Sequence, residues 1–179
     1  MSGIIEVDEV FIGGKTSGKR GRGAEGKSLI AVAVEIKGRK TGRVRLAKIP
    51  DASKNSLNTF IENNIEPASL VITDGWPSYN ELIKNGYEHK VQKATVKDED
   101  EEILPNVHRI ASLLKRWLLG THQSYLNKNK LEYYLDEYVF RYNRRTSTNR
   151  GLLFLRLIEQ AVITEPVSYK KITNDNHGS

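Results

Sequence analysis

Two hydrophobic periods alternate along the first hundred residues, and only the helical one continues after them. In residues 4–12, Ile5, Val7 and the run Val10-Phe11-Ile12 are apolar, and Gly13-Gly14 closes the segment, which predicts a strand interrupted by acids. Residues 29–36 form a nearly continuous apolar run of strand length. A Gly-Arg-Lys-Thr-Gly turn follows at 38–42, then a third strand over 43–49, so the chain opens as a meander. Ser53 is placed to cap a helix reaching residue 63, in which Leu57, Phe60 and Ile61 recur at helical spacing. Residues 69–73 read as a short buried strand ended by Asp74-Gly75, residues 79–84 as a short helix, and 88–92 as another strand. From Pro105 the apolar positions Val107, Ile110, Ala111, Leu114 and Leu118 keep the helical period, and Gly120 is expected to stop the helix. Residues 130–142 repeat the pattern through Leu131, Leu135, Tyr138 and Tyr142, and 152–162 are apolar on most sides.

Three strands, a helix, a strand, a helix, a strand and then helices predict an α/β fold. The expected architecture is a mixed five-stranded sheet flanked by helices, the layout of the RNase-H-like class. No internal repeat or linker divides the chain: residues 1–165 are expected to form one domain and 166–179 a flexible polar tail.

Composition narrows the chemistry. A chain of 179 residues suits a single core, and no apolar run approaches the roughly 18 residues of a membrane span, which excludes a membrane protein. The opening MSGIIEVDEV carries acids and lacks a basic segment and a cleavage site, so it does not read as a signal peptide and the expected compartment is the cytosol. There is no cysteine, so any metal must be held by oxygen or imidazole ligands. An excess of 28 Lys and Arg over 22 Asp and Glu, a net charge of +6 and a pI near 9.4 favour a polyanionic partner. The cations cluster, with Lys15, Lys19, Arg20, Arg22 and Lys27 in a glycine-rich stretch and Arg141, Arg144, Arg145 and Arg150 in a second. The acidic run at 98–102 reads as a solvated loop.

Asp8 lies inside a strand, where an acid facing the core is costly unless it is paired or bound to a cation. Glu6 shares its strand face and Glu9 takes the other, because strand side chains alternate. Asp74 follows an apolar strand at its carboxyl end, where open α/β sheets place ligand groups. Each acid alone has a plainer explanation, a solvated strand face for Asp8 and an Asp-Gly turn for Asp74. Brought together at the sheet, they would repel unless a hard divalent cation such as Mg²⁺ neutralised them, and such a site performs phosphoryl transfer. A third ligand is normally required. His108 stands 34 residues after Asp74 (108 − 74) and Lys115 seven after His108 (115 − 108), which returns to nearly the same helix face, so His108, Ser112 and Lys115 can look toward one site. The plainer reading of a helical histidine is a hydrogen-bonded or surface residue.

Four blocks, in order, resemble a known family. They are Val7-Asp8-Glu9-Val10-Phe11-Ile12-Gly13-Gly14-Lys15, Thr73-Asp74-Gly75-Trp76-Pro77-Ser78-Tyr79, the stretch 108–122 beginning His108-Arg109-Ile110-Ala111-Ser112, and the stretch 134–145 ending Phe140-Arg141-Tyr142-Asn143-Arg144-Arg145. Together they resemble the DDE-type insertion-sequence transposases of the ISXO type (the IS-fifteen-ninety-five group), from about Glu6 to Val162. The resemblance implies an RNase-H-like catalytic domain that cleaves and joins DNA strands at transposon ends with Mg²⁺ or Mn²⁺. Asp8 and Asp74 would be the first two members of its acidic triad. His108 stands where relatives carry Glu or Asn, and imidazole, neutral and softer than carboxylate, shifts the expectation toward Mn²⁺. Lys115 matches the family's basic residue seven positions after the third ligand. By the resemblance and the charge clustering, Lys15, Lys19, Arg20, Lys115, Arg116, Arg141, Arg144 and Arg145 are the candidate DNA contacts. The implied partners are transposon ends and target DNA, held by a homodimer or larger assembly, in the bacterial cytoplasm on the nucleoid. Relatives usually carry an amino-terminal zinc ribbon, which a cysteine-free chain with Asp8 near its start is expected to lack.

Two other readings compete. Gly13-Gly-Lys-Thr-Ser-Gly18-Lys19 follows a strand and fits a phosphate-binding G-x-x-x-x-G-K loop, but Arg20 replaces the Ser or Thr that ligates Mg²⁺ and the glycines after it start a helix poorly. The other is an inactive relic that binds DNA through its basic segments without cutting it.

Overall fold

The computed structural model describes residues 1–13, 27–93, 103–122 and 130–169. Strands β1 (Ile4–Ile12), β2 (Ser28–Lys37) and β3 (Lys40–Ile49) form an antiparallel meander. Helix α1 (Lys54–Asn64) leads to β4 (Leu70–Thr73) and β5 (Glu88–Val91), and α2 (Pro105–His122), α3 (Leu131–Asn143) and α4 (Arg150–Ile163) follow. The sheet order is β3-β2-β1-β4-β5, with β4 parallel to β1 and β5 parallel to β4, so β1 lies at the centre.

Alternation along the strands divides the core into two layers. Val32 and Val34 of β2, with Val44 and Leu46 of β3, pack under α2 and α3 through Val107, Ile110, Leu114, Leu118, Leu135 and Tyr138. Ile5, Val7, Ala31, Ala33 and Val71 face the other way, against Leu57, Phe60 and Ile61 of α1 and the buried Tyr79 and Leu82. The Ser53 hydroxyl accepts the Ser56 N–H at 3.3 Å, capping α1 as its sequence position predicts.

Three local expectations are corrected. The hairpin turn is two residues, Gly38-Arg39, with Lys37 paired to Lys40, so Lys40, Thr41 and Gly42 belong to β3. A positive φ at Gly38 closes the tight loop. Residues 79–84 are not an α-helix: a 3₁₀ turn over Pro77–Tyr79 runs into further turns, with Asn80 N–H donating to Pro77 O and Leu82 N–H to Tyr79 O, both at 3.2 Å. The three-residue spacing of the fully buried Tyr79 and Leu82 suits that tighter winding. Gly120 does not end α2, which runs on to His122; its φ stays negative, and Leu118 anchors that turn in the core. Helix α4 is apolar as expected, yet none of its side chains is buried, and Phe154, Leu155, Leu157, Ile158 and Ile163 are exposed. No described helix is long and apolar enough to cross a membrane.

Candidate active site

The parallel pairing of β1 with β4 brings the two aspartates together. Ile4 pairs with Leu70, Ile5 with Val71 and Glu6 with Ile72, and continuing that register by two residues sets Asp8 level with Asp74. Asp8 Oδ1 accepts its neighbour Glu9's N–H at 2.8 Å, which leaves Oδ2 directed at α2. Asp74 Oδ1 accepts the Trp76 N–H at 2.9 Å, so the turn after β4 fixes the second carboxylate. Gly75 makes that turn possible: its φ is +86°, and a β-carbon there would collide with Val91 of β5.

The third candidate arrives on α2. His108 Nε2 lies 3.8 Å from Asp8 Oδ2, with the imidazole 42% exposed and the carboxylate 17%. Its place depends on Glu6, whose role the sequence did not disclose. The buried Glu6 carboxylate accepts the N–H groups of Asn106 at 2.9 Å and Val107 at 3.0 Å, and the Asn106 Nδ2 at 2.7 Å. These backbone donors belong to the first turn of α2, where no carbonyl within the helix can accept them and the helix dipole favours an anion. An acid two residues before Asp8, on the same strand face, was the one available signal. It carried no indication of a partner a hundred residues away.

Electrostatics at the pair favour a cation. Burial lifts the Asp8 carboxyl above its ordinary value, and the charge of Asp74 adds to the rise; the Glu9 N–H and His108 act against it. A carboxyl raised in the folded state binds more protons there than in the unfolded chain. Its contribution to stability therefore declines as pH climbs from the ordinary aspartate value through the raised one. On the opposite strand face, the Tyr79 hydroxyl donates to Glu9 Oε1 at 2.9 Å. Burial first, then Glu9, Asp8 and Asp74, hold that phenol well above the ordinary tyrosine value, so it stays protonated.

The donor set fits a hard divalent ion without enclosing it. Among the described residues, no three acidic or imidazole side chains close into a ready-made cage. Mg²⁺ commonly takes one or two carboxylates and completes its shell with water and substrate phosphate, which suits a carboxylate pair flanked by one imidazole.

The remaining candidates spread out. Lys115 is exposed, two turns beyond His108 and about 10 Å farther along the helix axis, beside rather than within the carboxylate site. Arg116 is exposed on the outer side of α2. Arg141 pairs with Glu137 at 2.8 Å, Arg144 lies 3.9 Å over the Phe140 ring, and Arg145 lies 3.9 Å over Tyr142. Lys15, Lys19 and Arg20, with the phosphate-loop pattern they share, lie outside the described residues.

A profile of the ISXO2-like transposase domain matches residues 1–143. The chain belongs to the ISXO2-like transposase domain family. The catalytic core domain of BIV integrase shares its fold, at a TM-score of 0.54 and 16% identity over 90% of this chain and 99% of that one. The Mos1 strand transfer complex is a more distant match, at a TM-score of 0.41 and 16% identity over 88% of this chain and 51% of the Mos1 chain. No curated protein sequence matches. The five-stranded mixed sheet and its helices thus have the RNase-H-like fold, and family membership supports a function in transposition.

Proposed function

We propose that residues 1–165 are the catalytic domain of a transposase that cleaves DNA at transposon ends and joins the freed end to a target, with Mg²⁺ or Mn²⁺ as cofactor. The observation that carries the proposal is the parallel register of β1 and β4, which, continued two residues past Glu6 and Ile72, sets Asp8 level with Asp74 just beyond β4, together with His108 3.8 Å from Asp8. Asp8 and Asp74 would hold the metal from the sheet and His108 from α2. When bound, the metal supplies Lewis acidity at the scissile phosphate and stabilises charge on the leaving oxygen. The chain's own residues fix the geometry: Glu9 N–H and Trp76 N–H orient the two carboxylates, and Glu6 holds the helix that presents His108. Lys115, with Arg116 on the next face, would receive phosphates flanking the cut, Arg141 and Arg144 toward the end of α3 would add to DNA affinity, and so would Lys15, Lys19 and Arg20. The work would take place in the cytoplasm, on nucleoid DNA.

His108 decides the cofactor. In a nicking and strand-transfer assay, His108→Ala is expected to lose at least a hundredfold in rate with either ion, as loss of a ligand to a catalytic metal would cause. His108→Glu should restore activity with Mg²⁺ beyond that of the wild type, since oxygen suits the harder ion. Wild-type activity in Mn²⁺ that His108→Ala leaves unchanged would remove histidine from the site. Steep salt-dependent DNA binding with no cleavage by any variant would instead establish the non-cutting DNA-binding module.

Transposition also requires two DNA ends to be held together, and we infer that two copies of this chain associate through α4. Its 14 residues carry apolar side chains around most of the helix with none buried, and such a helix is stable in water only when something covers it. Two copies packed along its roughly 21 Å length would remove on the order of 1,000 Å² from water, the scale of a specific interface. Sedimentation is expected to give a dimer at micromolar concentration. Leu155→Glu combined with Ile158→Glu should yield a folded monomer. A wild-type chain that sediments as a monomer throughout that range would refute the interface.

A further inference from the structure

Among the described residues, a strongly basic concavity lies away from the carboxylates. A groove of about 770 Å³ opens between the β2–β3 hairpin and the ends of α2 and α3, and Lys37, Arg39, Lys40, Arg43, Arg109 and Arg145 line it. Among the described residues no acid lines it. Glu35 sits almost buried beneath, where its carboxylate accepts the Arg43 N–H at 2.9 Å and lies 3.5 Å from Lys37 Nζ.

The floor is built rather than incidental. Arg145 lies flat on the Tyr142 ring while its guanidinium donates to the main-chain oxygens of Thr41, of Gly42 at 3.2 Å and of Tyr142 at 2.9 Å. Tyr142 OH and Thr41 Oγ1 share a hydrogen bond at 2.7 Å, and the Asn143 amide closes on both backbone groups of Val44 at 2.7 and 3.1 Å. These contacts pin the end of α3 to the outer strand of the sheet, so Arg145 is fixed in place. The Lys37 and Arg43 side chains, 63% and 52% exposed, stand at the rim, where each keeps an ion pair to the Glu35 carboxylate, at 3.5 and 3.7 Å. A concave field with exposed cations at its rim matches a chain of phosphates, each of which a Lys or Arg can neutralise with release of a counterion.

The groove is separate from the cleavage site. On α2, His108 turns to Asp8 while the next residue, Arg109, turns to Thr41 Oγ1 and Asn106 Oδ1, both at 3.3 Å. The hairpin lies at the level of Ile4 and Ile36, four residues back from Asp8, and β3 lies two strands across. Strand rise and spacing put it on the order of 15–20 Å from Asp8.

We propose that this groove binds the phosphodiester backbone of DNA outside the segment being cut. The identity of the polyanion rests on the transposase reading above, and the place rests on the groove alone. The backbone can be a distant flank of the same duplex or a second duplex.

Affinity for duplex DNA, measured across a salt series with the Asp8→Asn chain so that nothing is cleaved, tests the proposal. Lys37→Glu, Arg39→Glu and Lys40→Glu combined should weaken binding of a long duplex at least tenfold and flatten the log-log salt slope by about 2–3, near 0.9 per lost phosphate contact. The same charge change on the α1 side, Lys48→Glu, Lys54→Glu and Lys84→Glu, should do neither. If the triple variant melts early, the single loop change Arg39→Glu should still reduce the slope by about 1. A defect seen with long but not short duplexes assigns the flank of one DNA, and a lost second binding event assigns a second duplex. Unchanged affinity and slope in the hairpin variants overturn the groove while leaving the transposase reading intact. Absence of DNA binding by the Asp8→Asn parent itself would sink both. Binding of polyglutamate, but not DNA, that the hairpin changes abolish would make the occupant an acidic protein and overturn the proposal.

Discussion

Asp8→Asn and Asp74→Asn should each reduce strand cleavage at least a thousandfold and leave the fold intact, and in metal-free buffer near neutral pH the Asp8→Asn chain should melt no lower than the wild type. The two halves of this expectation have one cause. In the folded chain the Asp8 carboxyl is lifted by burial and by Asp74, so at neutral pH its ionised form is held at a cost that asparagine does not incur. A bound divalent cation removes that cost and is itself a ligand of the native state alone. At about 100 times its dissociation constant such a ligand adds about 2.7 kcal/mol. At roughly 2–4 °C per kcal/mol for a chain of this size, the wild type should gain roughly 5–10 °C on saturation with Mg²⁺ or Mn²⁺. Both asparagine variants should lose most of that gain. Calorimetry with and without metal, run beside the cleavage assay, separates a lost ligand from a lost fold. Cleavage that survives Asp8→Asn, or an equal metal-induced shift in all three proteins, would place the metal elsewhere.

The carboxylates were legible in the sequence because each breaks an apolar pattern at a position with a structural meaning. Asp8 interrupts a strand that otherwise builds the centre of the sheet, and Asp74 ends one, so parallel pairing of those strands sufficed to unite them. His108 was legible as a position on a helix face. Its neighbour Arg109 was not, since one helical step of about 100° turns it away from Asp8 and into the basic groove. That groove draws cations from a hairpin, the start of α2 and the end of α3, and no spacing along the chain joins residues 37–43 to Arg145. The hairpin itself was blurred because Thr41 and Gly42 look like turn residues, whereas the loop needs only Gly38-Arg39 and the strand resumes at once. Helix α4 was readable as a helix apolar on most sides, but a local pattern does not say which body covers it.

Glu6→Gln should be the most damaging single change outside the carboxylate pair. The side chain is 3% exposed and accepts three hydrogen bonds, two of them from the N–H groups of Asn106 and Val107 at the mouth of α2. Glutamine keeps the volume, but its NH₂ group would face donors, and the negative charge that meets the helix dipole is gone. Helix entry is already costly there. Leu104, fully buried just before Pro105, holds a φ of +53°, a left-handed conformation that costs a non-glycine residue about 1–2 kcal/mol. Charged hydrogen bonds of this kind contribute roughly 1.5–3 kcal/mol, so a loss of about 2–3 kcal/mol is expected, read as a fall of roughly 5–10 °C in melting temperature. Activity should fall further than stability does. His108 follows Val107 directly, and a shift of about 1 Å at the helix start is enough to cost on the order of a hundredfold in rate. Below its melting temperature the Glu6→Gln protein should therefore bind DNA with the wild-type salt dependence while kcat drops and the metal-induced thermal shift shrinks. Glu6→Asp, which keeps the charge but shortens the reach, should lie between the two. A Glu6→Gln chain that melts with the wild type would show that the first turn of α2 is held by its packing alone, and that His108 reaches Asp8 without help from the strand beneath it.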